Sequence, residues 1–229
     1  MKNIAALKAL WAEAFEDEPA YIEAFFEEVF PHALCLCNDE AEPASALYLI
    51  PGMLYGRPAD YLFAAATRRD FRGKGLISEL IRQATEHACR RGAFLFTVPA
   101  EENLFSFYSR FGFRPLPEKV QTGTAQAELI PCTKEQWLAK YTPRPECWDS
   151  HPAFREFCVK QEKVLAYVAN GRFPILAGQE IDEGLRICGG KLPPEVLCGT
   201  QELRCPLMVY CPPGLPFPEK MEAQLLQNG

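Results

Sequence analysis

The sequence predicts an α/β (α+β) fold, with helices on the faces of a central sheet. Apolar residues recur at helical spacing in three segments, 4–16, 21–30 and 76–91. Between the helices lie short apolar runs typical of buried strands, 33–37, 44–50, 60–67 and 93–98. The composition changes near residue 115, because residues 115–229 hold 14 of the 20 prolines and 7 of the 10 cysteines. We therefore expect a regular domain at 1–119 and an appended, smaller α+β part at 120–229.

Each of the first elements is set by a simple pattern. Pro19 separates the first two helices and Pro31 ends the second, since proline interrupts a helix interior. The run 60–67 is apolar nearly throughout, which is typical of a central strand buried on both faces. The strand 93–98 follows the helix that ends at Gly92.

The segment between strand 60–67 and helix 76–91 carries the most specific chemistry. Its sequence, Arg72-Gly73-Lys74-Gly75, lets the backbone approach an anion closely and aim N–H groups at it. The helix that follows adds free N–H groups and the positive end of its dipole. Residues 68–91 hold seven Arg or Lys against three acids, a basic patch in an acidic protein. A phosphate site is indicated, and a glycine turn that only packs the helix start is the simpler alternative.

The later elements are less regular. A short helix begins near Asn103, carries Tyr108 among phenylalanines and ends at Gly112. In the second part, the Asn170-Gly171 pair predicts a hairpin. The helices and strands predicted there are 134–141, 153–163, 164–169, 173–177, 185–188 and 207–211.

Composition and charge exclude several classes of protein. The chain is 48% hydrophobic and 24% charged, so a wholly disordered protein is excluded. The net charge of −6 argues against a nucleic-acid partner, because phosphate binding needs a basic face. We find no membrane-length apolar run and no secretory signal, which predicts a cytoplasmic protein with no membrane partner and reduced thiols. Cys35 and Cys37 are spaced too closely for ordinary zinc ligands, so no metal is expected.

Residues 60–113 resemble the GCN5-related N-acetyltransferase (GNAT) superfamily. The segment from Arg72 to Ile77 is similar to the family signature Gln/Arg-x-x-Gly-x-Gly/Ala, and departs from it at Ile77. Residues 103–113 are similar to a second family region, Asn-x-x-Ala-x-x-x-Tyr-x-x-x-Gly-Phe, with an offset. Neither motif recurs in 120–229, which we interpret as a part that does not bind CoA, such as a degenerate second GNAT lobe.

The resemblance implies a mixed sheet that splays after Thr67 and holds the pantetheine of acetyl-CoA in the gap. Acetyl-CoA, or CoA, is then the co-substrate. Tyr108 is implied as the general acid that protonates the leaving thiolate. The implied CoA-binding residues are Ala65, Ala66, Thr67, Arg72, Gly73, Lys74, Gly75, Leu76, Ile77 and Asn103.

The function expected from the resemblance is transfer of an acetyl group to a primary amine of a small molecule or peptide by direct attack. An inactive CoA-binding sensor or scaffold is the alternative, whereas no Cys–His spacing supports a thiol nucleophile. The acids of residues 11–28 fit either a solvated helix face or a surface that attracts a cationic amine. The second part would shape the acceptor cleft or a homodimer face. The candidate bases are Glu27, Glu28, Asp60, Glu101, His32 and His87.

Overall fold

A computed structural model describes most of residues 2–161 and shorter stretches beyond them. The described residues are 2–116, 119–120, 122–125, 129–141, 148–161, 165–169, 173–181, 184–189, 197–198, 201–202 and 207–218. The predicted turn at Asn170-Gly171 lies outside the described residues. The strands on either side of it, 165–169 and 173–181, pair antiparallel as a hairpin requires.

Six α-helices and sixteen strands are described. The helices are α1 (Ile4–Ala14), α2 (Pro19–Ala24), α3 (Leu76–Arg91), α4 (Asn103–Ser109), α5 (Lys134–Lys140) and α6 (Pro152–Gln161). The first strands are β1 (Leu34–Cys37), β2 (Ser45–Ile50), β3 (Gly52–Leu54), β4 (Arg57–Thr67), β5 (Phe94–Thr97) and β6 (Arg114–Leu116). The next are β7 (Lys119–Val120), β8 (Thr122–Ala125), β9 (Leu129–Pro131), β10 (Asp149–Ser150) and β11 (Leu165–Ala169). The last are β12 (Phe173–Ile181), β13 (Gly184–Gly189), β14 (Leu197–Cys198), β15 (Gln201–Glu202) and β16 (Leu207–Tyr210).

Local sequence sets the ends of the helices. The side chain of Asn3 caps α1 by accepting from the N–H of Ala6, 3.1 Å away. Pro19 occupies the first turn of α2, where its missing N–H costs nothing. The predicted helix 21–30 continues beyond α2 as a π-helical turn, Phe25–Val29, and a 3₁₀ turn, Phe30–His32. Gly92 ends α3 in the left-handed conformation.

The first sheet is mixed and open, with helices on both faces, which confirms the predicted fold class. Its main path runs β1-β2-β4-β5-β16-β6, with β3 and β10 attached beside β4. The β4–β5 pair is parallel, and the other described pairs of this sheet are antiparallel. A six-stranded sheet, β14-β8-β13-β12-β11-β9, and the pair β15-β7 form separately.

The two faces of the first sheet bury separate apolar clusters. One face packs against α1, α2 and α6, and its cluster includes Trp11, Phe25, Tyr48 and Phe157. The other face packs against α3 and α4, and its cluster is Leu47, Leu49, Leu62, Leu80, Ile81, Ala84, Ala88, Leu95, Tyr108, Phe113 and Met208. The apolar stripe predicted for helix 76–91 therefore faces the sheet.

The hairpin between β3 and β4 was not predicted, and β4 begins at Arg57 rather than at residue 60. Its turn residues, Tyr55 and Gly56, have φ angles of 51° and 71°. Two consecutive positive φ angles are typical of a tight hairpin turn, and Asn-Gly or Asp-Gly is the pair that usually marks it. Tyrosine at the first position gives no such signal.

The sheet opens along β4. This strand pairs with β5 only from Ala59 to Tyr61, opposite Phe94 to Phe96. Beyond this point the Thr97 hydroxyl donates to the carbonyl oxygen of Leu62, 3.0 Å away, and the two strands separate. Ala64 has a φ of 45°, and the β2–β4 register shifts beside it, so β4 carries a bulge at the opening.

Segments from beyond residue 119 complete the first sheet and its core. Strand β16 lies between β5 and β6, although at least 90 residues separate it from both in sequence. Trp148 is buried and its indole N–H donates to the carbonyl oxygen of Ala59, 2.9 Å away. Phe154 and Phe157 of α6 belong to the same apolar cluster as α1. The structure therefore places residues of both compositional parts in one sheet and one core.

Three further findings concern the described residues. None of the helices among them is long and apolar enough to cross a membrane. These residues contain no group of three or more His, Cys, Asp or Glu side chains that is arranged to hold a metal ion. No disulfide bond joins the cysteines whose side chains are described, which are Cys35, Cys37, Cys89, Cys132, Cys158 and Cys211.

Candidate functional site

A cleft of about 340 Å³ opens beside the end of β4 and the start of α3. It brings together nine of the eleven predicted site residues. These are Ala65, Ala66, Thr67, Arg72, Gly73, Gly75, Leu76, Ile77 and Tyr108. The cleft is also lined by Ala14, Phe15, Phe71, Leu104 and Phe107. Residues far apart in the sequence thus form one site at the opening of the sheet.

The two other predicted residues lie outside the cleft lining. The ammonium of Lys74 lies over the ring of Phe71, 4.4 Å from its centroid. Asn103 is exposed at the start of α4, and its amide donates to the carboxylate of Glu101, 2.9 Å away. Lys74 stands between two lining residues, Gly73 and Gly75, whereas the side chain of Asn103 is directed to Glu101.

The turn between β4 and α3 presents unused backbone donors. No described backbone carbonyl accepts a hydrogen bond from the N–H groups of residues 73–78. Gly73 and Gly75 have φ angles of 76° and 78°, a region that L residues rarely adopt. The guanidinium of Arg72 donates to the carbonyl oxygen of Thr67, 3.2 Å away, which ties the turn to the end of β4. Successive free N–H groups beside a helix N-terminus form a ready anion site.

The carboxylate of Glu13, on α1, contacts the residues that lead into this turn. Glu13 accepts a hydrogen bond from the backbone N–H of Arg69 at 2.8 Å, and lies 3.6 Å from the Arg68 guanidinium. Three other acids of residues 11–28 also have partners: Asp17 accepts from Trp11, Glu23 pairs with Lys8 and Glu28 pairs with Lys160. These contacts favour the interpretation that much of the acidic run serves the local structure.

Ser45 holds the last residues of β4. Its side chain is fully buried, at 0% exposure, and its hydroxyl donates to the carbonyl oxygen of Ala66, 2.9 Å away. The Thr67 hydroxyl lies 2.9 Å from the Ser45 Oγ and donates to it, since the Ser45 proton is directed to Ala66. The strand edge that lines the cleft is thereby fixed from the β2 side. A buried serine between two apolar residues gave no signal of this role in the sequence.

Tyr108 lines the cleft from α4. It is 6% exposed and packs against the rings of Phe107 and Phe113. Burial raises the pKa of its hydroxyl above the ordinary value, and the interaction with the Thr97 hydroxyl offsets part of that increase. The phenol is therefore protonated at neutral pH and is able to donate a proton.

The candidate bases lie elsewhere. Asp60 is 1% exposed, and its carboxylate pairs with Arg91 at 2.5 Å near the start of β4, with His87 beside the pair. Burial raises the pKa of Asp60, and the Arg91 charge opposes that increase. His32 stacks on His151, with ring centroids 4.4 Å apart. Among the described residues, no carboxylate and no imidazole lines the cleft, and Glu27, Glu28 and Glu101 are likewise absent from its lining.

The sequence profile of the acetyltransferase (GNAT) family matches residues 4–113. This range contains α1 to α4, the sheet opening and the cleft. Residues 4–113 of the chain are therefore similar to a GNAT acetyltransferase domain. No curated protein matches the chain.

Solved GNAT structures share the fold of the chain at low sequence identity. A GCN5-related N-acetyltransferase from Anabaena variabilis has a TM-score of 0.64 and 14% identity, with 90% of this chain and 70% of that one covered. Eis1 from Mycobacterium abscessus has a TM-score of 0.61 and 11% identity, with 92% and 72% covered. A probable N-acyltransferase from Enterococcus faecalis has a TM-score of 0.60 and 13% identity, with 77% of this chain covered. The chain spans about half of the Enterococcus protein, with 53% covered.

Proposed function

We propose that the chain is an acetyl-CoA-dependent N-acyltransferase that acts on a primary amine. The observation that carries this proposal is the meeting of the β4 edge, the glycine turn and a buried, protonated tyrosine in one cleft. The similarity of residues 4–113 to a GNAT acetyltransferase domain supports the reaction class.

The cleft offers a separate support for each portion of the co-substrate. The free N–H groups of residues 73–78 suit the diphosphate, because they point successive donors at one anion. The edge of β4 from Ala65 to Thr67 no longer pairs with β5, so its backbone groups suit the amides of pantetheine. The thioester would then lie near Tyr108, which lines the same cleft.

The proposed reaction is a direct transfer. The neutral amine attacks the thioester carbonyl carbon, so that a C–N bond forms and the C–S bond breaks. The Tyr108 hydroxyl gives its proton to the departing thiolate, and the proton lost by the amine passes to water, which also reprotonates the phenolate. Burial of the phenol favours this role, because it keeps the acid protonated at neutral pH.

The second candidate is a CoA-binding module without catalysis. It is favoured by the absence of a carboxylate or imidazole among the described residues that line the cleft. Such a module would bind acetyl-CoA without releasing CoA thiol in the presence of amines. Both candidates therefore bind acetyl-CoA, and only the transferase releases CoA thiol when an amine is present.

The test is release of CoA thiol from acetyl-CoA by the full chain across a panel of polyamines, aminoglycosides, arylamines and peptide N-termini. Amine-dependent release supports the transferase. Binding of acetyl-CoA without release for any amine supports the module, and a chain that binds neither acetyl-CoA nor CoA contradicts both. If kcat does not change with pH, no group has to be protonated or deprotonated for turnover, and the proton transfer assigned to Tyr108 is contradicted.

A further inference from the structure

Thr97 is the last residue of β5, and its hydroxyl group is buried at the point where β4 and β5 separate. The residue is 3% exposed. The last paired residues of the two strands are Tyr61 and Phe96. The Thr97 hydroxyl donates to the carbonyl oxygen of Leu62, the next residue of β4, 3.0 Å away. A buried hydroxyl group lowers stability unless it is hydrogen-bonded, so this contact fixes the Thr97 oxygen at the opening of the sheet.

The Thr97 hydroxyl also interacts with the hydroxyl of Tyr108. Packing against Phe107 and Phe113 holds the ring of Tyr108, but this packing does not set the direction of the O–H bond. Among the residues that the structure describes, Thr97 is the one side chain found to interact with this hydroxyl. The two groups meet in a buried environment, where a hydrogen bond is stronger than in water.

The Thr97 hydroxyl has one proton to donate and two lone pairs. While its proton is donated to Leu62, the Thr97 oxygen can only accept, so the neutral phenol of Tyr108 is the donor between the two hydroxyl groups. Once Tyr108 has given its proton away, the phenolate can only accept, and Thr97 can turn its proton toward it. Donation of this kind favours the charged form, in agreement with the lowering effect of Thr97 on the pKa of Tyr108.

We infer that Thr97 is a positioning residue for the general acid of the proposed transfer. It directs the O–H bond of Tyr108 before the reaction, and it donates a hydrogen bond to the phenolate as the proton passes to the departing thiolate. One proton leaves the Tyr108 oxygen and binds the sulfur, while the proton of Thr97 stays on Thr97. Thr97 is not among the residues that line the cleft, so its effect passes through Tyr108. This inference rests on the proposed function, since it needs Tyr108 to act as the acid.

A double-mutant cycle on the full chain tests the inference, with kcat and KM for acetyl-CoA measured as CoA thiol release with an amine that supports turnover. Thr97→Val keeps the shape of the side chain and removes the hydroxyl group. We expect it to lower kcat about 10- to 100-fold at unchanged KM, because a hydrogen bond to a charged group contributes about that much. In the Tyr108→Phe background the same substitution should leave kcat unchanged, since no phenolate forms there. Thr97→Ser should retain most of the kcat of the unaltered chain.

Thr85→Val is the matched control. The Thr85 hydroxyl also donates to a backbone carbonyl oxygen, that of Arg82 at 2.8 Å, but Thr85 lies on α3 and does not line the cleft. Its kcat should equal that of the unaltered chain, and a loss as large as that of Thr97→Val would contradict the inference. If Thr97→Val does not fold, Thr97→Ala and Thr97→Ser form a second pair, because both lose the methyl group and only Thr97→Ala loses the hydroxyl. Thr97→Ser should then exceed Thr97→Ala in kcat about 10- to 100-fold.

The outcomes separate this inference from the proposed function. An unchanged kcat in Thr97→Val, or an equal loss of kcat with and without the Tyr108 hydroxyl, overturns the inference and leaves the proposed function intact. An unchanged kcat in Tyr108→Phe contradicts the assigned acid and the inference with it. A chain that releases no CoA thiol with any amine overturns the proposed transferase and the inference together.

Discussion

The two glycines that bound α3 allow the proposed phosphate-binding role of the turn at residues 73–78, the phosphate turn, to be separated from its effect on stability. Gly75 precedes the helix with a φ of 78°, and Gly92 follows it with a φ of 59°. The left-handed region costs an L residue roughly 1–2 kcal/mol. Replacing glycine with alanine also lowers the conformational entropy of the unfolded chain, which offsets about 0.4–1 kcal/mol of that cost. A Cβ at either site would meet no heavy atom within 4 Å. Gly75→Ala and Gly92→Ala should therefore destabilise the fold equally, by about 1 kcal/mol.

Only one of the two substitutions should weaken CoA binding. Gly75 lines the cleft, whereas Gly92 lies at the other end of α3, about 25 Å away at 1.5 Å per residue. A hydrogen bond to a charged group contributes about 1.5–3 kcal/mol, so a methyl group that keeps the diphosphate from one N–H should lower affinity about 10- to 100-fold. Gly75→Ala should show this loss, and Gly92→Ala should bind CoA as the unaltered chain does.

Thermal unfolding and calorimetric titration with CoA measure the two effects separately. For a chain of this size, 1 kcal/mol shifts the melting temperature by about 2–4 °C, and both variants should show that shift. Equal CoA affinity of the two variants would refute the assignment of residues 73–78 as the phosphate turn. A much larger loss of stability for Gly75→Ala alone would show that the turn is held by contacts other than those described.

Two further substitutions test the fold around the site. The pKa of Asp60 is raised in the folded chain, so folding favours the neutral carboxyl group. Asp60 therefore stabilises the fold below about pH 4, the ordinary pKa of an aspartate, and this contribution is lost as the pH rises through the pKa of the folded chain. The free energy of unfolding of the unaltered chain, relative to Asp60→Asn, should therefore rise as urea titrations move from pH 7 to pH 4, and a constant difference would contradict this pKa direction. A Cβ at Gly52 would overlap the indole nitrogen of Trp148, so Gly52→Ala should cost about 1–3 kcal/mol in urea titrations followed by tryptophan fluorescence. An unchanged midpoint would show that Trp148 does not pack there.

Sequence reasoning located those parts of the fold and site that depend on local patterns. Gly73 and Gly75 form the turn that precedes the helix, with positive φ angles, and the helix begins at Leu76 as predicted. Tyr108 lines the cleft from α4, the short helix that the sequence predicts to begin near Asn103. These features follow from residues within one turn or one strand of each other, where periodicity and turn chemistry are informative.

The rest depends on contacts between distant segments, which periodicity does not encode. The position of β16 between β5 and β6 is set by strand pairing across the whole second part. The close approach of Trp148 to Gly52 joins segments almost 100 residues apart. Packing also decides which of several nearby polar groups a side chain contacts. Examples are the hydrogen bond from Asn103 to Glu101 and the one between Thr67 and Ser45.

The central claim is that Tyr108 is the acid of an acyl transfer in this cleft, and Tyr108→Phe tests it most directly. With an amine that supports thiol release, kcat should fall about 10²- to 10⁴-fold, because general acid catalysis contributes that much, while KM for acetyl-CoA stays unchanged. Tyr210→Phe is the matched control, since Tyr210 packs on Phe113 and does not line the cleft. A large loss of kcat confined to Tyr108→Phe is the predicted result, and an unchanged kcat in Tyr108→Phe would contradict the account.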